Sequence, residues 1–348
     1  MTGELRGGDR LFRETRELIE IESITGNEAA VMNCAERLLR AAGFDVESLP
    51  VEPGRRNLLA GPSGARVLLC THLDTVPPYV PFREDAEYLY GRGACDAKGI
   101  AAAMIEAARR LLASGVRDFG ILLLVGEEVD NAGARVANRT VRAEHVIVGE
   151  PTTNLLARGH KGVVAGRLRA TGVAAHSAYP DRGDSAIHRL LDAIARVRAA
   201  DFGRDPVLGS ATVNIGRMAG GVAPNVLAPE AWAEIVFRVV IPLEEMDRRI
   251  AECWRPAPGE APDLHLSFET IARMGPVRTA GLAGMPETVV AYGTDIPFLR
   301  DIGKPFLVGP GSILDAHTSG EKIARRELLD GAAVYERMVR RILAGEAA

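Results

Sequence analysis

Three short apolar runs in this chain end in the same way. Val67-Leu68-Leu69-Cys70-Thr71 runs into His72-Leu73-Asp74, Ile121-Leu122-Leu123-Leu124-Val125-Gly126 into Glu127-Glu128, and Val146-Ile147-Val148-Gly149 into Glu150-Pro151. Uncharged runs of this length read as strands covered on both faces, the mark of a mostly parallel sheet between helices. In such sheets ligands collect just beyond the carboxyl ends of the strands. Imidazole and carboxylates gathered there carry a heavy desolvation cost unless something positive sits among them. A metal centre resolves that cost.

The rest of the chain supplies a frame for those strands. Residues 9–22 show helical spacing, and Thr25-Gly26-Asn27-Glu28 has the capping-box pattern ahead of a second helix that Gly43 stops. Gly91-Arg92-Gly93-Ala94-Cys95-Asp96-Ala97-Lys98-Gly99 is a glycine-punctuated loop that opens a helix over 100–112. Its glycines have neither dinucleotide nor phosphate-loop spacing. The loop is read as holding Asp96 at the helix mouth, where an N-cap role stays open. After Glu150 the texture changes. Strands are expected at 163–171, 211–218, 231–240 and 264–271, with helices at 185–199 and 243–254. This is the β-α-β-β-α-β order of a ferredoxin-like unit. The expected fold class is α/β: a catalytic domain of residues 1–161 and 273–348, with a mixed, mostly parallel sheet flanked by helices. An inserted ferredoxin-like α+β domain with its own sheet is expected over 162–272.

Composition narrows the partners. Forty-two basic residues stand against 46 acidic ones, a formal charge of −4, and no run is rich in Lys or Arg. Nucleic acid and anionic membrane surfaces are therefore not expected partners. Residues 1–6 lack the apolar core of a signal peptide, and no run approaches the ~20 apolar residues that span a bilayer. A soluble cytoplasmic protein is the expectation. Cys34, Cys70, Cys95 and Cys253 lack pair spacing, which argues against a disulfide scaffold or a thiolate zinc site. Cys95 is read as small filler beside Asp96.

The candidates for chemistry are His72, Asp74, Asp96, Glu127, Glu128, Glu150, His176 and His317, the last in the loop Gly309-Pro310-Gly311-Ser312-Ile313-Leu314-Asp315-Ala316-His317. Each has a bland reading alone: a satisfied strand-end histidine, a solvated turn, a helix cap. Together they ask for several independent coincidences at strand and loop ends. Two imidazoles and three carboxylates make two sites sharing one carboxylate, a donor set that suits zinc, with cobalt or manganese as alternatives.

His72-Leu73-Asp74, Gly91-Arg92-Gly93…Cys95-Asp96-Ala97-Lys98-Gly99, Gly126-Glu127-Glu128, Gly149-Glu150-Pro151-Thr152, His176-Ser177 and Gly309-Pro310-Gly311…Ala316-His317-Thr318 resemble the M20 family of metallo-hydrolases. Within it they are most similar to the acetylornithine deacetylase and succinyl-diaminopimelate desuccinylase branch. The resemblance implies two Zn2+ per chain, one held by His72, Asp96 and Glu150, the other by Asp96, Glu128 and His317. It implies Asp74 behind His72, Glu127 as general acid/base, and His176 reaching the site of a partner subunit in a homodimer. It also implies substrate contacts from Asn225, Arg238, Gly293 and Thr294. The expected activity is hydrolytic removal of an acyl group, acetyl in the first instance, from an N-acyl amino acid such as N-acetylornithine, in amino-acid biosynthesis. A dizinc dipeptidase, aminopeptidase or carboxypeptidase of the same family is the alternative, and a non-catalytic ligand-binding relative is a third reading.

Overall fold

The computed structural model describes residues 2–62, 64–257 and 259–347. The chain forms two compact units: Met1–Arg158, Thr279–Thr288 and Thr294–Ala348 make the first, and Gly159–Arg278 with Val289–Gly293 the second. The short return stretch belongs to the second unit because the Val290 carbonyl accepts a hydrogen bond from the Lys161 amide at 3.1 Å.

In the first unit Val67–His72 lies between Phe119–Leu124 and His145–Val148 and runs parallel to both. Lys304–Leu307 adds a fourth parallel strand beside His145–Val148. Antiparallel strands extend the sheet: Arg55–Ala60 and then Val46–Glu52 on one side, Leu156–His160 on the other. Every residue of Val67–His72 and of Phe119–Leu124 is buried, so neither strand shows the alternation of a half-exposed one. The helix Lys98–Ala113 is buried along most of its length, with Thr2–Ile19 and Arg325–Leu343 packed on it. Because the central strands are parallel, their carboxyl ends open at one edge of the sheet.

Two sequence expectations change at the N-terminal end. The first helix spans Thr2–Ile19 rather than 9–22. The second, Ala29–Ala41, begins after Glu28 with no side-chain cap, so Thr25 and Glu28 form no capping box. Tertiary partners have taken both side chains. Thr25 Oγ1 donates to Asp74 Oδ2 at 2.7 Å, and Glu28 accepts from Arg55 at 2.7 Å, both members of that ion pair being buried.

The second unit has the order strand Gly162–Thr171, helix Ala186–Ala199, strands Thr212–Gly220 and Glu230–Val239, helix Leu243–Glu252, strand Leu266–Met274. Its antiparallel sheet is arranged Thr212–Gly220, Glu230–Val239, Gly162–Thr171, Leu266–Met274. Alternate residues face inward: Val164, Leu168, Ile235 and Phe237 from the strands join Leu190, Val197, Met246 and Ile250 from the helices. Among the described residues no helix is long and apolar enough to cross a membrane.

Candidate metal centre

His72 ends its strand fully enclosed, 1% exposed. Its Nδ1 donates to the main-chain carbonyl of Asp74 at 3.1 Å and lies 3.4 Å from Asp74 Oδ1. A carbonyl can only accept, so the proton sits on Nδ1 and Nε2 presents a lone pair. That lone pair faces Asp96 Oδ1 at 3.2 Å. Two acceptors that close require a cation or a proton between them.

Asp74 does more than orient the ring. Its Oδ1 accepts from the Glu127 amide at 3.0 Å and its Oδ2 from the Glu128 amide at 3.1 Å, besides the Thr25 hydroxyl. The turn after Phe119–Leu124 is thereby fixed to the end of the neighbouring strand. Gly126 starts that turn at φ +83°, and a Cβ there would lie 2.4 Å from Asp130 Oδ1 and 2.7 Å from Arg55 Nη2. Only glycine fits. Burial works against an ionised Asp74, but the His72 ring, Thr25 and the Glu128 amide overcome it and hold the carboxyl below the usual range.

The loop carrying Asp96 is built around a residue far away in sequence. Glu321, with no exposed surface, accepts from the amides of Gly93, Cys95 and Asp96 at 3.0, 3.3 and 3.3 Å, and from Arg92 Nη1 at 2.6 Å. The following helix starts at Lys98 without a side-chain cap, so Asp96 is not an N-cap; its carboxylate is aimed elsewhere. Replacing Glu321 with Ala strands the Arg92 charge and three amides in the interior. A loss of about 3–5 kcal/mol of unfolding free energy is expected, measured by denaturant titration. A loss below about 1 kcal/mol, the range of an exposed pair, would remove Glu321 from this role.

Asp96 faces both histidines. While Oδ1 meets His72, Oδ2 lies 3.2 Å from His317 Nε2, which is also 3.0 Å from Glu128 Oε1. His317 reaches this position from a loop residue at φ +62°, with 47% of its side chain exposed. Glu150, after its strand, completes the cluster. One ligand atom each from His72, Asp96 and Glu150 fall within 4.8 Å of one another, and so do those of Asp96, Glu128 and His317. Asp96 is common to both groups. Either group is able to hold a metal ion.

The electrostatics agree with a cation-binding role. Burial, then the Asp96 charge, pushes the Glu150 carboxyl well above its ordinary range. Glu127 keeps part of its surface open, yet its carboxyl is enclosed enough that burial and Glu150 push it well up as well. Hydrogen bonds that the His317 ring donates to Asp96 and Glu128 raise it to about 10. Asp96 is held far below the carboxylate range: burial opposes its charge, but His317 and His72 outweigh it. Buried acids pushed toward their neutral form need positive charge beside them to ionise, and a cation in this cluster would supply it.

Asp295 joins this group unannounced by any apolar strand end. It is 3% exposed, and burial raises its carboxyl to about 7 even though Asn131 donates to it at 3.0 Å. The same Asn131 amide donates to the Glu127 carbonyl at 3.2 Å. The Glu127 backbone is thus held at its N–H by Asp74 and at its C=O by Asn131. The signal in the sequence was a lone Asp beside Ile296-Pro297, a stretch without charge. Thr25 and Glu321 gave no such signal.

The remaining candidates divide between the units. Thr294, in the first, is buried and its Oγ1 accepts from the Ile296 amide at 3.1 Å. Gly293, in the second, is closed over by Met274, whose Cε lies 2.3 Å from where a Cβ would stand. His176 and Asn225 share one loop cluster of the second unit, where the Ser177 amide donates to the Asn225 carbonyl at 2.9 Å. Arg238 sits half-buried on Glu230–Val239, and no hydrogen bond or ion pair joins its guanidinium to another described residue.

The model for Peptidase family M20/M25/M40 matches residues 68–341. A peptidase M20 domain-containing protein of Schizosaccharomyces pombe is 37% identical over 349 residues, covering 96% of this chain and 85% of that one. A protein of Aspergillus terreus named a probable carboxypeptidase is 36% identical, covering 93% and 84%. The crystal structure of aminopeptidase PepT from Bacillus cereus has the same fold, with a TM-score of 0.81 at 21% identity over 97% of this chain and 99% of that one. Matched from the strand that delivers His72 to the C-terminal helix, this chain belongs to peptidase family M20/M25/M40.

Proposed function

We propose that the protein is a zinc-dependent amide hydrolase that frees an amino acid bearing an α-carboxylate from the acyl or peptidyl group on its nitrogen. The observation that carries this reading is Asp96, one oxygen turned to His72 and the other to His317. His72, Asp96 and Glu150 hold one ion; Asp96, Glu128 and His317 hold the second. Two divalent cations bound there acidify a water and polarise the amide carbonyl.

The chain's own residues do the rest. Asp74 keeps the His72 proton on Nδ1 so that Nε2 stays a ligand, and it fixes the Glu127-Glu128 turn. Glu127 accepts the proton of the attacking water at its carboxylate and returns it to the leaving nitrogen. His176 donates to the developing oxyanion from a partner subunit, a role that requires a dimer. The exposed edge strand Thr212–Gly220 supports such pairing, since it ends the second unit's sheet. A protein that is monomeric by light scattering yet fully active would end that role.

Arg238, a half-buried guanidinium without a partner among the described residues, offers a fork for the substrate carboxylate, with Asn225, Gly293 and Thr294 as further contacts. Carboxypeptidase cleavage and deacylation of an N-acyl amino acid break the same bond, differing only in the group on the nitrogen. The name of the Aspergillus relative favours a peptidyl group; the resemblance to acetylornithine deacetylases favours acetyl. The deciding experiment is elemental analysis followed by an assay panel. About two zinc per chain and release of the carboxyl-terminal residue from N-acyl amino acids and short peptides are expected. A metal-free, inactive protein purified without chelator would leave only the ligand-binding reading.

A further inference from the structure

Asp295 is a buried acid with no local reason to be one. It precedes the short helical turn Ile296–Phe298, yet its side chain caps nothing there. Its Oδ1 instead accepts from Asn131 Nδ2 at 3.0 Å, across 164 residues of sequence. A buried carboxyl held by a neutral amide is costly to keep for packing alone.

Asn131 ends the turn that carries Glu127 and Glu128. Its backbone is left-handed at φ +52°, a conformation asparagine tolerates better than most residues. Its amide closes the turn by donating to the Gly126 carbonyl at 2.6 Å. The side-chain nitrogen has two hydrogens to give. One goes to the Glu127 carbonyl at 3.2 Å and the other to Asp295. Carbonyl and carboxylate oxygens both accept, so the Asn131 amide is gripped at both hydrogens and fixed facing Glu127.

The stretch that carries Asp295 is fastened to the helix that follows Asn131. On that helix, Ala132–Thr140, the Arg135 guanidinium lies 4.1 Å from the centre of the Phe298 ring. Asn138 donates to Asp301 Oδ2 at 2.8 Å, and its Oδ1 accepts from the Asp301 amide at 2.8 Å. Positions 131, 135 and 138 share one helix face, and residues 295, 298 and 301 meet it in turn. Arg135 and Asn138 anchor this stretch whether or not residue 295 bears a carboxyl. The Asn131 contact is what the carboxyl itself adds.

We propose that Asp295 is a positioning residue: it holds the Asn131 side chain, which holds the Glu127 carbonyl and so keeps the Glu127 side chain aimed at the attacking water. This rests on the amide-hydrolase reading above, in which Glu127 moves the proton. Asp74 still holds the Glu127 and Glu128 amides without Asp295, so its loss loosens the aim of Glu127 and leaves the turn in place.

The test measures kcat and KM for Asp295→Ala, Asp295→Asn, Asn131→Gly and the double variant Asp295→Ala, Asn131→Gly. The substrate is whichever member of a panel of N-acetyl amino acids and dipeptides the wild type cleaves fastest. Glycine at 131 removes the side chain at a backbone angle that glycine accepts. Asp295→Ala and Asn131→Gly are each expected to lower kcat by about 10- to 10²-fold, the upper figure being the scale of a 1 Å misplacement, with KM and zinc content near wild type. Asp295→Asn keeps the size and an acceptor oxygen and is expected to restore kcat. The double variant should be no slower than the slower single one, because both act along one path. Single variants at wild-type kcat, a double variant whose losses multiply, or Asp295→Asn as slow as Asp295→Ala overturn the role. If Asp295→Ala fails to fold, Asn131→Gly decides, since wild-type kcat in it leaves Asp295 nothing to act through. A wild type that cleaves no member of the panel overturns the amide-hydrolase reading itself, and the role with it.

Discussion

Glu127→Ala should lower kcat by about 10²–10⁴-fold, the contribution of a positioned general acid/base, while zinc content and KM stay near wild type. Two features separate this residue from its neighbour. Glu127 is the acid pushed up by burial and by Glu150, whereas Glu128 touches His317. Its backbone is held from both sides, so truncating the side chain leaves the turn in place. Glu127→Gln sharpens the test. The amide keeps the size and polarity of the carboxyl but accepts no proton at neutral pH, and it should be as slow as the alanine variant. Either variant turning over within about tenfold of wild type would take proton transfer away from Glu127.

Asp96→Ala should be the one single substitution that empties both metal positions. A residue that only supports a ligand typically changes metal affinity by about 10–100-fold; losing the ligand shared by both triads should exceed that at each ion. Zinc after dialysis is expected to fall from two per chain toward none, with activity below detection. Glu150→Ala, by contrast, touches one triad, and the other should retain its ion. Dialysed Asp96→Ala that still carries two tightly bound ions would mean the triads do not share a ligand. Titration of the apoprotein with zinc, followed by calorimetry, reads this without relying on turnover.

Much of this centre is legible in the sequence because its residues stand where a periodic pattern breaks. A buried strand such as Val67–His72 contains no charge, so the first polar groups after it are conspicuous. The same logic finds Glu127, Glu128 and Glu150. Residues whose partners are distant in sequence escape it. Thr25 and Glu28 satisfy a local capping pattern, and nothing near them indicates that Asp74 and Arg55 will outbid the helix end. Glu321 reads as an ordinary surface acid after a Gly, yet it is the buried post around which the Asp96 loop winds. The length of the helices and strands shifted by a few residues, most at Thr2–Ile19, where amphipathic spacing starts later than the hydrogen-bonded turns do. Exposure is least legible of all. Val129 and Leu314 look like core residues until their turns are seen to leave them in solvent.

The order in which the strands of the first unit's sheet are joined has a consequence for biosynthesis. Lys304–Leu307 is hydrogen-bonded to His145–Val148 and Leu156–His160, although the whole second unit is translated before it. A nascent chain emerging from the ribosome therefore holds His72, Asp96 and Glu150 well before His317 is made. Yet Glu321, around which the Asp96 loop winds, is made later still, so neither candidate metal group has its geometry until the last few dozen residues are in place, and a chain truncated ahead of His317 is expected to lose both.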